Sequence, residues 1–375
     1  MNQTRFIVAG NFIDGTGADV RRNVFLAVKD GIITDIGPTA DLSSKDEAVI
    51  DDLNHCTIVP ALVDCRVSLA RSPSVDEKFR SSMEEGGIAK KEVLVAQHIR
   101  YCHSHGVLGL ADSGEIPGLE EHLQEVKAKG SIIDIRSAGT DFLKIIYSGN
   151  FDDEETPNSR LNQKDLYRIM QQRGEKKAVV VANGHHLVEE ALEAGCDAIE
   201  QGYAMGEDNL RKMAETNVLW FPNVLMARNS LDGAGSGGDV SCRFSMRYVA
   251  PGKANPATET FWKKMLTEQL AQLRLARELG VKTAVGTGAG SIGILHGESV
   301  VEEIKLFIKG GYSLEQAIQC ASDNGAEFFG MEELGALAVG RKATFLVARG
   351  TVPQLPRKLA YLENIYVNGA PSKNF

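Results

Sequence analysis

The sequence lacks the long apolar runs, paired cysteines and basic clusters that mark several classes of protein. No run of about 18 apolar residues occurs, and the N-terminus has no hydrophobic signal core, so no membrane segment is expected. The 6 cysteines are scattered without a Cys-x-x-Cys pair, which is typical of reduced thiols. The formal net charge is −9 and no lysine or arginine stripe forms, so we expect no nucleic-acid or acidic-membrane partner. These absences predict a cytoplasmic protein.

Both ends of the chain have the texture of small β units. Short β-branched runs alternate with turns such as Asp30-Gly31, which is the signal of β-hairpins. Neither end alone could bury much apolar surface. We therefore expect the two ends to fold together into one discontinuous β-sandwich that comprises residues 1–58 and 338–375.

The middle of the chain, residues 59–337, alternates between strand-like and helix-like stretches, as in a parallel sheet with crossover helices. Eight strand-like stretches can be counted: 58–69, 106–114, 132–136, 142–146, 179–181, 198–201, 218–221 and 283–286. The count predicts an (αβ)8 barrel of the TIM type. A doubly wound open sheet is the alternative, although no Gly-x-Gly-x-x-Gly follows the first strand.

The segment 223–258 departs from the short connections of the rest of this region. It contains a glycine-rich run at 233–238 and little periodicity. Loops of this length are typically lids or mobile segments, and this one follows the seventh strand. We therefore predict a lid over the mouth of the barrel, with plain disorder as the alternative.

The stretch from Ile58 to Leu69, Ile-Val-Pro-Ala-Leu-Val-Asp-Cys-Arg-Val-Ser-Leu, resembles the Pro-Gly-Leu-Val-Asp-x-His-x-His signature of the amidohydrolase superfamily. The likeness, nearest the imidazolonepropionase-like branch, continues through 182–184, 193–202, 205–210, 286–291 and 296–298. The resemblance implies a TIM-type barrel wrapped by a β-sandwich. It also implies hydrolysis of C–N bonds in amides or cyclic amides by a bound divalent metal.

The resemblance further places the six metal-site positions of the family on this chain. The family's two first-strand histidines correspond to Arg66 and Ser68, and its bridging lysine corresponds to Lys144. Its fifth-strand and sixth-strand histidines correspond to Val181 and Gln201, and its eighth-strand aspartate corresponds to Gly288. Only the lysine survives. A hydrolytic zinc ion needs about three donor side chains, and without it no hydroxide forms at neutral pH. We therefore predict that the protein holds no metal and no other cofactor.

Two cations, Arg66 and Lys144, are expected in the mouth of the barrel instead. They could pair internally with Glu200 or Asp64, or they could bind an anionic small molecule such as a carboxylate or phosphate. The residues predicted to line such a binding site are Arg66, Ser68, Lys144, Gln201 and His296. Lys144 is also a weak candidate for a catalytic Schiff-base nucleophile.

Three functions remain open at this point. The first is a divergent amidohydrolase-like protein that is noncatalytic or binds a small anion. The second is a hydrolase of C–N bonds that works through a metal-free or rearranged site. The third is a structural partner subunit in an oligomer, and a homo-oligomer is expected in any case.

Overall fold

The chain has a mixed α/β fold, seen in a computed structural model that describes residues 4–42, 49–114, 123, 125, 132–148, 161–234, 256–331 and 333–372. The strands are β1 Arg5–Phe12, β2 Arg21–Lys29, β3 Ile32–Pro38, β4 Val49–Pro60, β5 Leu62–Val67, β6 Val107–Asp112, β7 Asp134–Ser137, β8 Leu143–Ile146, β9 Ala178–Ala182, β10 Ala198–Gln201, β11 Leu219–Phe221, β12 Phe345–Arg349, β13 Leu362–Val367 and β14 Ala370–Pro371. The helices are α1 Glu77–Glu84, α2 Ile88–Ser104, α3 Gln163–Gln172, α4 His185–Glu193, α5 Glu207–Thr216, α6 Val224–Ala234, α7 Pro256–Leu279, α8 Glu298–Lys309, α9 Leu314–Cys320, α10 Asp323–Phe329 and α11 Leu355–Lys358.

Strands from both ends of the chain form one seven-stranded sheet in the order β14-β13-β12-β4-β1-β2-β3. Strand β4 pairs in parallel with β1 and antiparallel with β12, so it connects the N-terminal and C-terminal strands. The apolar cluster of this sheet includes Ile7, Leu26 and Phe345, all fully buried. The boundaries 1–58 plus 338–375 and 59–337, and the sandwich arrangement, stay predictions.

Two parallel sheets lie between these ends, one in the order β5-β6-β7 and the other in the order β11-β10-β9-β8. A segment around Ala284 and Val285 bonds to both. The amide of Ala284 donates to the carbonyl of Trp220 at 2.9 Å, and the carbonyl of Val285 accepts from the amide of Cys65 at 2.9 Å. This segment therefore joins the first sheet to the second along one edge of each.

Between the opposite edges, at β7 and β8, an isolated bridge forms between Ala138 and Phe142. Residues 138–142 alone separate these two strands. Parallel neighbours need a crossover of a dozen or more residues, usually with a helix. The regular alternation of strands and helices predicted for 59–337 is therefore interrupted here.

The segment predicted as one long loop, 223–258, is helical at both of its ends. Helix α6 begins at Val224, and α7 begins at Pro256. The loop prediction is wrong for these parts, and the lid predicted for 235–255 lies outside the described residues. The side chain of Glu303 caps α6, because its two carboxylate oxygens accept from the amides of Val224 at 2.8 Å and Leu225 at 2.7 Å. Within the described ranges no helix combines the length and apolarity needed to span a membrane.

A buried ion cluster at the candidate functional site

The carboxyl ends of several parallel strands bring polar side chains together. Strands β5, β6, β9 and β10 are buried on both faces. Arg66 lies near the end of β5, Ser113 follows β6, and Glu200 lies near the end of β10. Ser113 and Glu200 contact the side chain of Lys144 on β8, and Arg66 pairs with Glu200. The strand ends thus enclose charges that the strand interiors could not accommodate.

Glu200 is the centre of this arrangement, and its side chain is only 2% exposed. Arg66 Nε forms an ion pair with Glu200 Oε1, and Lys144 Nζ lies 2.9 Å from Oε2. Lys144 also donates to Ser113 Oγ at 2.9 Å, and Arg66 Nη1 lies 2.7 Å from Met226 Sδ on α6. We call Arg66, Ser113, Lys144, Glu200 and Met226 the Glu200 cluster.

The electrostatics of the cluster favour the charged form of Glu200. Burial raises the pKa of this carboxyl, but the charges of Lys144 and Arg66 and their hydrogen bonds outweigh the burial. The pKa of Glu200 therefore lies below its ordinary value, and the carboxylate remains ionised at neutral pH. One buried carboxylate thus serves two buried cations.

A second buried acid, Asp64, has a backbone role. Its Oδ1 accepts from the amides of Thr287 at 2.9 Å and Arg66 at 3.2 Å, and its Oδ2 accepts from Thr287 Oγ1 at 2.5 Å. Burial raises the pKa of Asp64 to about 6, against the lowering effect of these hydrogen bonds and of Arg66. Asp64 therefore ties β5 to the segment that joins the two parallel sheets.

Gln201 and Val181 occupy two of the predicted metal-site positions without offering a ligand. Gln201 Oε1 accepts from Asn183 Nδ2 at 2.6 Å, and the Gln201 carbonyl accepts from Trp220 Nε1 at 3.0 Å and Gln269 Nε2 at 2.8 Å. Val181 is buried and has no donor atom in its side chain. Gln201 therefore acts as a structural amide in a hydrogen-bond network.

Ser68 and His296 meet through the backbone. His296 Nε2 lies 3.1 Å from the carbonyl of Ser68, and the His296 ring stacks on His98 with a centroid distance of 3.7 Å. Burial lowers the pKa of both histidines, that of His98 to about 4, so both rings are neutral at pH 7. The sequence reasoning missed His98, although the helical spacing of Leu94, His98 and Cys102 places it on the buried face of α2.

The remaining metal-site position, Gly288, lies against Arg66. Its φ is +79°, and a Cβ built there would overlap Arg66 Nη1 and lie 3.0 Å from Met226 Sδ. The guanidinium therefore fills the space into which a side chain at 288 would point. In the part of the chain that the structure describes, no group of three His, Cys, Asp or Glu side chains could hold a metal ion. The residues present do not fit the family's metal centre.

The chain thus has a mixed α/β fold with polar side chains gathered at the ends of its parallel strands. Residues 36–374 match the model of the amidohydrolase family, and the chain belongs to that family. No curated protein matches the chain. The imidazolonepropionase-like branch stays a prediction.

Several solved structures share the fold. A Xaa-Pro dipeptidase with bound methionine in its active site is 19% identical, with a TM-score of 0.79 over 99% of this chain and 100% of that one. An ochratoxinase from A. niger is 15% identical, with a TM-score of 0.77 over 99% of this chain and 95% of that one. A molinate hydrolase is 15% identical, with a TM-score of 0.76 over 100% of this chain and 95% of that one. At these identities the likeness concerns the fold alone.

Proposed function

We propose that this protein is a metal-free, noncatalytic member of the amidohydrolase family, built on an (αβ)8 barrel. The observation that carries the proposal is the Glu200 cluster, in which buried charges pair with one another at the strand ends. The barrel is supported by the segment around Ala284, which bonds to the outer strand of each parallel sheet. The homo-oligomer and the role of a structural partner subunit remain predictions.

The charges of the cluster argue against a catalytic metal. A unit charge about 4 Å from another interacts by roughly 4 kcal/mol at an effective dielectric of 20, so a divalent ion at that distance from Arg66 and from Lys144 would meet two repulsions, each about twice as large. Glu200 is already occupied by both cations. Without a metal ion, bound water keeps its high pKa and no hydroxide is available for hydrolysis at neutral pH.

We expect the purified protein to bind far less than one equivalent of zinc after incubation with excess zinc and dialysis. The reason is the donor set, which contains a guanidinium, an amide, an aliphatic side chain and a glycine where ligands would be required. Elemental analysis by mass spectrometry measures the zinc content. As a control, treatment with EDTA should leave the melting temperature unchanged. One tightly held zinc per chain would refute the proposal.

A second candidate function, binding of a small anion, is favoured by one observation. Arg66 and Lys144 share the single carboxylate of Glu200, so the cluster itself carries one surplus positive charge. Asp64, whose pKa is raised to about 6, offsets this charge when it is ionised above that pH, so the surplus is largest below about pH 6. A carboxylate or phosphate group could therefore be attracted to Lys144, whose ammonium also donates to Ser113.

If the anion site exists, millimolar phosphate or small carboxylates should raise the melting temperature of the native protein beyond the effect of chloride at equal ionic strength. A ligand at 100 times its Kd stabilises the native state by about 2.7 kcal/mol. Lys144→Gln should remove the response. Identical melting curves in phosphate and chloride would rule out this second function. The zinc content tests the first proposal independently of this result.

A further inference from the structure

We infer that the guanidinium of Arg66 is a built-in substitute for the family's metal ion, held in a chamber whose walls are shaped for it. The inference rests on the proposed function and deepens it, because it names the group that organises the site. The ligand class that the chamber accepts is therefore a planar guanidinium cation, whether covalently attached or free.

Arg66 connects separate parts of the fold, as a metal ion connects its ligands. The side chain starts on β5, pairs with Glu200 on β10 and reaches Met226 on α6. It is only 8% exposed as a residue, so its charge needs a counterion inside the protein. Glu200 is that counterion, and removal of the guanidinium takes away one of the two cations that pair with it.

Two glycines on the segment that follows Val285 line the chamber and leave space for Arg66. A Cβ at Gly286 would lie 3.1 Å from Arg66 Cβ, and a Cβ at Gly288 would overlap Nη1. The amide of Gly288 also donates to the carbonyl of Arg66 at 2.9 Å, which fixes this segment beside β5. A side chain at Gly288 would compete with the guanidinium, and one at Gly286 would crowd the base of the Arg66 side chain, so both glycines make room for Arg66.

Chemical rescue tests the inference. Arg66→Ala empties the chamber and should lower the melting temperature by roughly 4 to 6 °C, because it breaks a buried ion pair. Millimolar methylguanidinium should restore part of this loss in a saturable manner, because it binds only the folded variant. Equimolar methylammonium should restore less, since it lacks the planar fork of donors.

The control variant Arg66→Ala/Glu200→Gln should show no rescue, because it lacks the carboxylate that receives the guanidinium. Wild-type protein should show none, because its chamber is full. Absence of saturable rescue in Arg66→Ala, or equal rescue by zinc, would overturn the inference. The zinc content of the wild type separately decides the proposed function.

A second variant keeps the inference testable if Arg66→Ala does not fold. Arg66→Lys preserves the charge and a long apolar stem but not the planar guanidinium. We expect its melting temperature to fall below that of the wild type by several degrees, because an ammonium cannot contact both Glu200 and Met226 as the guanidinium does. A melting temperature equal to that of the wild type would contradict a chamber specific for guanidinium.

Discussion

Replacing Glu200 by glutamine is expected to lower the free energy of unfolding by about 3–5 kcal/mol. The substitution preserves size but replaces the carboxylate that pairs with both Arg66 and Lys144 by a neutral amide. Buried charges that lose their partner retain their desolvation cost, which is why removing one member of a buried pair is costly. Urea unfolding followed by circular dichroism measures the change.

Glu302 offers a matched control, because it also pairs with two cations. Arg228 Nη1 lies 2.9 Å from Glu302 Oε2, and Lys305 Nζ lies 2.6 Å from Oε1. The cation side chains are 28% and 31% exposed, so water can take over when the carboxylate is lost. Glu302→Gln should therefore cost only about 1 kcal/mol or less. Equal losses in the two variants would show that the Glu200 cluster is no more tightly coupled than a pair near the surface.

The stability difference between the wild type and Glu200→Gln should depend on pH. The pKa of Glu200 lies below its ordinary value in the folded protein, so its contribution to stability is fully present above the unfolded pKa of about 4.5 and is lost as the pH falls through the folded pKa. Glu200→Gln has no such group. The stability difference between wild type and variant should therefore shrink below about pH 4.5.

The site residues that lie at strand ends could be predicted from the sequence. Arg66 and Glu200 each lie near the carboxyl end of a predicted parallel strand, and such ends meet at one edge of a sheet, so an ion pair between them could be foreseen as one alternative. The choice between an internal partner and an external anion could not be made from the sequence. It depends on strand register and side-chain direction, which arise only when the sheet forms.

Other features depend on partners that are distant in the chain. The cap of α6 comes from Glu303, which lies 79 residues after Val224, so local sequence patterns around 224 gave no sign of a helix start. Met226 consequently could not be placed beside Arg66. The short connection 138–142 was visible, because five residues cannot form a crossover helix, but a count of strand-like stretches alone does not use the spacing between them.

Gly288→Ala is expected to be strongly destabilising in the wild type, by about 3 kcal/mol or more, and much less so when Arg66 is also replaced by alanine. The wild-type cost has two parts. One is the positive φ of +79°, which costs an alanine roughly 1–2 kcal/mol, and the other is the overlap with Arg66 Nη1. Only the second part disappears in Arg66→Ala. The four proteins form a double-mutant cycle whose unfolding free energies give a coupling of about 2 kcal/mol.

Gly330 separates the two parts of this cost. Its φ is +65°, and a Cβ built there meets nothing within 4 Å, so Gly330→Ala reports the backbone strain of a left-handed alanine without a clash. Its cost should match that of Gly288→Ala in the Arg66→Ala background, and it should not change when Arg66 is removed. A coupling near zero at Gly288 would mean that the segment relaxes away from β5 at little cost. The guanidinium chamber would then be wide enough for both side chains, and the arginine at 66 would not require a glycine at 288.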